Sequence, residues 1–190
     1  MDFTKMIKCG EGSSRVVYNI NNDILKIPKY VNYNNNKEYY TYLLGVNQIL
    51  TEIDIYNKAK KHFYNNLLCP IKEYGIDNNI LYAIYEKIIP APNLLKQKDF
   101  DLEFFCRKLN LNSTYNYLFK RIMKLSFRFH LDAYDLLENE DNFGYRQKDK
   151  KILLIDYGYK DNFKYNISNL LDNNIQLSKK ILGDTTWLMK

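Results

Sequence analysis

The first 30 residues alternate apolar and polar side chains with the period of two that belongs to β-strands. They do so in three runs, Lys5 to Cys9, Arg15 to Ile20 and Asp23 to Ile27. Only Asn21-Asn22 separates the second run from the third, and asparagine tolerates the positive φ that a two-residue hairpin needs. A connection that short makes the flanking strands antiparallel neighbours. The first two runs are joined by Gly10-Glu11-Gly12-Ser13-Ser14, so the chain is predicted to open as a β-meander whose first turn is rich in glycine.

The pattern then changes. From Lys37 to Phe63 the apolar residues fall at helical spacing, with Leu50, Ile53, Tyr56 and Asn57 on one face and Lys58, Lys60 and Lys61 outside it. A break at Asn65-Asn66 precedes two further strands, Ile71 to Tyr74 and Ile80 to Ile84, joined by a turn at Asp77-Asn78-Asn79. Pro90 and Pro92 stiffen the chain next and mark the expected boundary between a strand-rich lobe, residues 1–89, and a helix-rich lobe, residues 90–190. Helices are predicted from Asp99 to Leu109 and from Ser113 to His130, the second with Leu118, Ile122, Leu125 and Phe129 on one stripe. A polar loop from Asp132 to Asn142, an apolar strand from Ile152 to Ile155 and a last helix from Ile167 to Ile181 complete the reading. The fold class is α+β.

Composition narrows the class. With 190 residues, 46% of them hydrophobic, the chain can bury a core without staples. The three cysteines, Cys9, Cys69 and Cys106, form no CxxC pair and are expected to be reduced thiols in a cytoplasmic setting. The N-terminal sequence has no apolar run of signal-peptide length, and no window reaches a membrane span, so no membrane association is expected. A net charge of +6 admits nucleic acid, a membrane surface or phosphorylated ligands. The basic residues are scattered rather than clustered with the 18 tyrosines, which makes a nucleic-acid partner the weaker expectation. The runs of Asn, with the abundant Tyr, Ile and Lys, share A/T-rich codons and read as a genome signature.

The chemistry begins at the glycine-rich turn, whose backbone can approach a ligand and offer N–H groups to phosphate. Lys26 follows between apolar neighbours in Ile24-Leu25-Lys26-Ile27, and a lysine there turns inward only if an anion meets it. Glu52, on the helix that follows, offers a carboxylate. Taken singly, each of these charges reads as ordinary surface. Further on, Asp132 and Asp135 follow the helix that ends at His130, Asn142 closes the loop, and Ile152-Leu153-Leu154-Ile155 runs into Asp156-Tyr157-Gly158. An aspartate at the mouth of an apolar strand is costly unless it meets a cation or donors. Three carboxylates and an amide can converge here.

The order of these features resembles the protein-kinase-like superfamily over about Ile7 to Gly158: glycine-rich loop, strand lysine, helix glutamate, linker, catalytic-loop aspartate with a later asparagine, and an Asp-Phe-Gly-like motif. The resemblance implies a two-lobe fold and an ATP- and Mg²⁺-dependent phosphotransferase. Gly10, Gly12, Ser13 and Ser14 would cover the phosphates. Lys26 would hold the α- and β-phosphates while pairing with Glu52. Asn142 and Asp156 would hold Mg²⁺, and the hinge at Tyr85-Glu86-Lys87 would take adenine on its backbone. The catalytic aspartate is either Asp135, seven residues before Asn142, or Asp132 in His130-Leu131-Asp132. Asp135 is preferred. Arg15 stands where the family pattern has its third glycine, where it stiffens the loop or meets phosphate itself, and Tyr157 replaces the usual Phe. Only 32 residues follow Gly158, without an Ala-Pro-Glu motif, so the helical lobe is expected to be reduced. The acceptor expected is a hydroxyl of a protein, with a small metabolite, or Ser13, Ser14 or Tyr18 of the chain itself, as alternatives. From another class comes a kinase-like pseudoenzyme that binds nucleotide or a partner protein as a regulatory platform, with a second copy as a possible partner.

Overall fold

The computed structural model describes residues 5–62, 64, 66–94, 101–160 and 163–189. The meander is built from β1 (Ile7–Glu11), β2 (Arg15–Ile20) and β3 (Asp23–Pro28), and it joins β4 (Ile71–Asp77) and β5 (Ile80–Glu86) in an antiparallel sheet of order β1-β2-β3-β5-β4. Asn21 takes φ 55° at the first tight hairpin, and Asn78 and Asn79 take φ 50° and 62° at the second. Because Asp77 pairs with Ile80, β4 runs three residues further than its apolar pattern suggests.

β1 also differs from its expected span of Lys5 to Cys9. A bulge between Lys8 and Gly10 lets pairing continue as Gly10 opposite Val17 and Glu11 opposite Val16, so Gly10 belongs to a strand and the turn shrinks to Gly12-Ser13-Ser14. Alternation then sorts β3 by face. Leu25 and Ile27 join Ile84 in an apolar cluster with Val16, Tyr18, Ile20 and Tyr82, while Lys26 between them lies on the opposite face. That face meets α1 (Asn36–Lys61).

The chain divides into two compact units. The first gathers the residues up to Ile55, Pro70–Lys87 and those from Lys164 onward; the second gathers Tyr56–Cys69 and Ile88–Phe163. The last segment was expected with residues 90–190, yet it belongs with the first unit. Its helix, α5 (Ile167–Leu182), places buried Asn174 against α1, where Asn47 Nδ2 donates to Asn174 Oδ1 at 2.9 Å and Asn174 Nδ2 donates to the Leu43 carbonyl at 2.9 Å. Lys180 adds an ion pair with Asp54 at 2.6 Å.

The second unit holds β6 (Ile89–Pro90), β7 (Phe143–Arg146) and β8 (Lys151–Leu154) in one small antiparallel sheet, with α2 (Leu102–Lys108), α3 (Tyr115–Phe129) and α4 (Ala133–Glu138). α2 starts later than the expected Asp99, which lies outside the described residues, because Asp101 caps it by accepting from the Glu103 N–H. Phe63 and Asn65, at the expected end of the long helix and the break after it, also lie outside them. α4 occupies the stretch read as a polar loop. Asp132 Oδ1 accepts from the N–H groups of Tyr134 and Asp135, and Leu136 is buried, so one cap and one apolar anchor suffice for a short helix. Among the described residues, no helix is long and apolar enough to cross a membrane.

Candidate functional site

Two sets of groups stand out, one in each unit. In the first, the register opposes Lys26 to Val17 on one side and to Ala83 on the other, with Arg15 and Tyr85 two residues along on the same face. α1 lays Glu52 against them. Lys26 Nζ is 3.3 Å and 3.4 Å from the two carboxylate oxygens of Glu52, and Arg15 Nη1 is 2.8 Å from Oε1. The Tyr85 hydroxyl donates to Glu52 Oε2, and Lys26 Nζ sits 4.5 Å from the centroid of the Tyr85 ring. Glu52 is wholly buried, with Lys26 8% and Arg15 7% exposed. A carboxylate so enclosed persists only because two cations and a phenol meet it.

Sequence reasoning anticipated the pairing of Lys26 with Glu52 but not the place of Arg15. The guanidinium is turned inward onto Glu52. At Tyr85 the sequence points to the backbone, whereas the side chain completes the cluster.

The glycine-rich turn is held from below. The Ser14 hydroxyl is buried and donates to Gln48 Oε1 on α1, while the Lys29 N–H donates to the Ser14 carbonyl at 2.8 Å. Ser14 is therefore a strut rather than a group facing a ligand. It is also withdrawn as a site of self-phosphorylation. The Gly12 N–H donates to the Arg15 carbonyl at 3.0 Å, so it closes the turn instead of cradling phosphate. Ser13 is exposed, and a Cβ built on Gly12 would meet nothing within 4 Å, which leaves the tip open to solvent. Glu11 beside it is bound by Lys29 and Lys8, whose donors hold its carboxyl down at about 2. A signal for the strut was legible: Gly45, Gln48 and Glu52 share one face of α1 at spacings of three and four. A Cβ on Gly45 would lie 2.2 Å from the Ser14 carbonyl oxygen, so this glycine is what lets the helix reach the turn.

At the expected hinge, the Glu86 N–H donates to the Pro70 carbonyl at 2.9 Å. That donor is engaged within the protein, which removes it from the backbone groups expected to take adenine. Lys87 follows β5 and is exposed.

In the second unit, α4 presents Asp135, and the single turn Glu140–Asn142 returns the chain so that buried Asn142 faces it. Asn142 Nδ2 donates to the Asp135 carbonyl at 2.7 Å and to its Oδ2 at 3.3 Å. The Ile155 N–H donates to the Asn142 carbonyl at 2.8 Å, fixing the end of the β8 segment beside this pair, one residue before Asp156. Buried Tyr157 donates its hydroxyl to the Cys69 carbonyl at 3.4 Å, and the Asp132 N–H donates to the Tyr159 carbonyl at 3.3 Å. Burial raises the Asp135 carboxyl above its ordinary value; the Asn142 amide opposes this, and the charges of Asp156 and Asp132 reinforce it. Asp132 works chiefly as the α4 cap. Of the two aspartates left open by the sequence, the geometry brings Asp135 to Asn142.

Among the described residues, no three His, Cys, Asp or Glu side chains gather as metal ligands. What the second unit offers is an oxygen set, Asn142 and Asp156 with Asp135 nearby. Such a set suits Mg²⁺, which keeps its waters and binds through one or two carboxylates together with phosphate oxygens. No protein-family model matches the chain, and no curated protein sequence matches it.

Proposed function

We propose that the chain is an ATP- and Mg²⁺-dependent phosphotransferase of protein-kinase-like architecture, acting on a hydroxyl carried by a protein. The observation that carries this reading is the buried Lys26–Glu52 pair, a lysine turned inward from a strand and held by a helix carboxylate. A second cluster, Asp135 with Asn142, supports it. In the proposed roles, Lys26 offsets phosphate charge, Glu52 fixes its ammonium, and Asn142 and Asp156 hold the metal. ATP would supply the γ-phosphoryl group, and a Mg²⁺ held by Asn142 and Asp156 would supply charge screening to its oxygens. Asp135 orients the acceptor hydroxyl and takes its proton. The acceptor oxygen bonds to the γ-phosphorus, the bond to the β–γ bridging oxygen breaks, and ADP leaves. The raised carboxyl of Asp135 suits a base, since proton affinity nearer neutrality favours acceptance.

A second reading, a kinase-like scaffold without catalysis, is favoured by one observation: Arg15 shares Glu52 with Lys26, so the carboxylate is already neutralised without a ligand.

Thermal unfolding with and without ATP and Mg²⁺ tests the binding half of the proposal, because a ligand that binds only the folded chain raises Tm. The expected result is a rise that needs both ligands, is lost in Asp156→Asn and survives in Asp135→Asn. No rise at millimolar ligand would put the scaffold reading in front.

A further inference from the structure

We propose that the second unit self-associates as a two-fold dimer in which the outer face of α3 in each copy seats on an acidic hollow beside α4 of the other. α3 carries Lys120, Arg121, Lys124 and Arg128 and no acidic residue. Its buried face is accounted for by Leu118, Ile122 and Leu125. The other face is not the usual mixture of opposite charges. Phe127 is 87% exposed and Met123, one turn before it, 40%, so the two form an apolar strip. Lys120 and Lys124 flank the strip, are exposed, and have no ion-pair partner among the described residues.

The next segment reverses the charge. From Leu131 to Asn142 the chain holds Asp132, Asp135, Glu138, Glu140 and Asp141 and no Lys or Arg. These five carboxylates line an open hollow of about 550 Å³ together with Tyr134 and Tyr159. Tyr134 is 72% exposed, so the hollow offers an aromatic wall as well as negative charge.

An anionic lipid surface or an acidic partner would suit the α3 face alone, but the adjoining carboxylates would repel either. A second copy uses both features. Because α3 and α4 pack against each other, the basic face and the acidic hollow are neighbours, and one two-fold axis pairs each with its complement in the partner. Phe127 supplies the aromatic anchor that the charges orient. Because Asp135 lines the hollow, a partner helix seated there competes with the acceptor hydroxyl proposed above.

Sedimentation velocity of the full chain across a concentration series, at low and high ionic strength, tests it. The expected result is a monomer–dimer equilibrium at low salt that shifts to monomer as salt screens the exposed charges. Lys120→Glu with Lys124→Glu in one chain, or Glu138→Lys with Glu140→Lys in another, weakens the dimer by at least about tenfold. An equimolar mixture of these two chains restores it, since each reversed face then meets a reversed hollow. Phe127→Ser weakens it at low salt with circular dichroism unchanged. A monomer at every concentration, a dimer indifferent to both reversals, failure of the mixture to recover, or open-ended growth would overturn the proposal. A monomer that sediments with phosphatidylserine vesicles would assign the α3 face to anionic lipid instead.

Discussion

In the strand-rich unit the carboxylate of Glu52 is met by Lys26, Arg15 and Tyr85, whereas in the helical unit Asp135 stands beside Asp132 and Asp156 and is faced by an amide. The first cluster is closed: two cations and a phenol meet one carboxylate inside the protein. The second is open at Asp135, with which no Lys or Arg pairs among the described residues. A closed cluster fixes geometry, and removing one member strands the others. An open one carries like-charge repulsion that a cation relieves, and removing a member relaxes it. Substitutions in the two clusters should therefore move stability in opposite directions.

The largest effect is expected at Glu52. Glu52→Ala removes the carboxylate that the buried Lys26 and Arg15 share and should cost about 3–5 kcal/mol in chemical denaturation. A loss below about 1 kcal/mol would mean that the cluster is wetter than its burial implies. Next comes Gly45→Ala, where the new methyl meets the Ser14 carbonyl, with an expected cost of about 1–3 kcal/mol. Asp135→Asn should shift stability the other way. The raised carboxyl means that the folded chain holds this proton more tightly than the unfolded one. Its contribution is thus complete below the ordinary aspartate range and lost as pH rises through the raised native value. At neutral pH the amide removes that cost, and Tm without ligand should rise, by less than about 1 kcal/mol equivalent. A fall in Tm would show that Asp135 is already neutralised.

The smallest effects lie at the surface. Gly12→Ala should leave stability within about 0.5 kcal/mol in chemical denaturation, because its Cβ meets nothing. Glu11 and Asp149 are both held at about 2 against ordinary values of 4.5 and 3.8, the first by Lys29 and Lys8, the second chiefly by Arg146. Their stabilisation is present above those ordinary values and declines as pH falls toward 2, a small effect because both are exposed. Acid titration of Glu11→Gln should show a shallower decline than that of the parent chain.

The sheet was legible because period-two patterning and Asn hairpins are local signals, and the long helix because Leu50, Ile53 and Tyr56 recur at helical spacing. What escaped was set by tertiary neighbours. Arg15 and Tyr85 reveal nothing of their partner in sequence, since Glu52 lies more than thirty residues from either. α4 was hidden by polar composition, although Asp132 two and three residues before the N–H groups it caps was a readable cue. The return of α5 to the first unit rests on a buried pair, Asn47 with Asn174, which composition would place on the surface. At the site, Lys26 and Glu52 were readable because a lysine between apolar neighbours demands an anion. Ser14 and the Glu86 N–H were not, because what removes them is a hydrogen bond to a distant element.

The most direct test of the account is phosphoryl transfer from γ-labelled ATP with Mg²⁺ by the purified chain, to itself or to proteins of a cell extract. The expected result is slow, measurable transfer that is abolished by both Lys26→Met and Asp135→Asn, with Asp135→Asn still folded by circular dichroism and still stabilised by ATP and Mg²⁺. Transfer that survives both substitutions would come from a contaminant, and its absence under every condition would contradict catalysis and leave the fold as a binding platform.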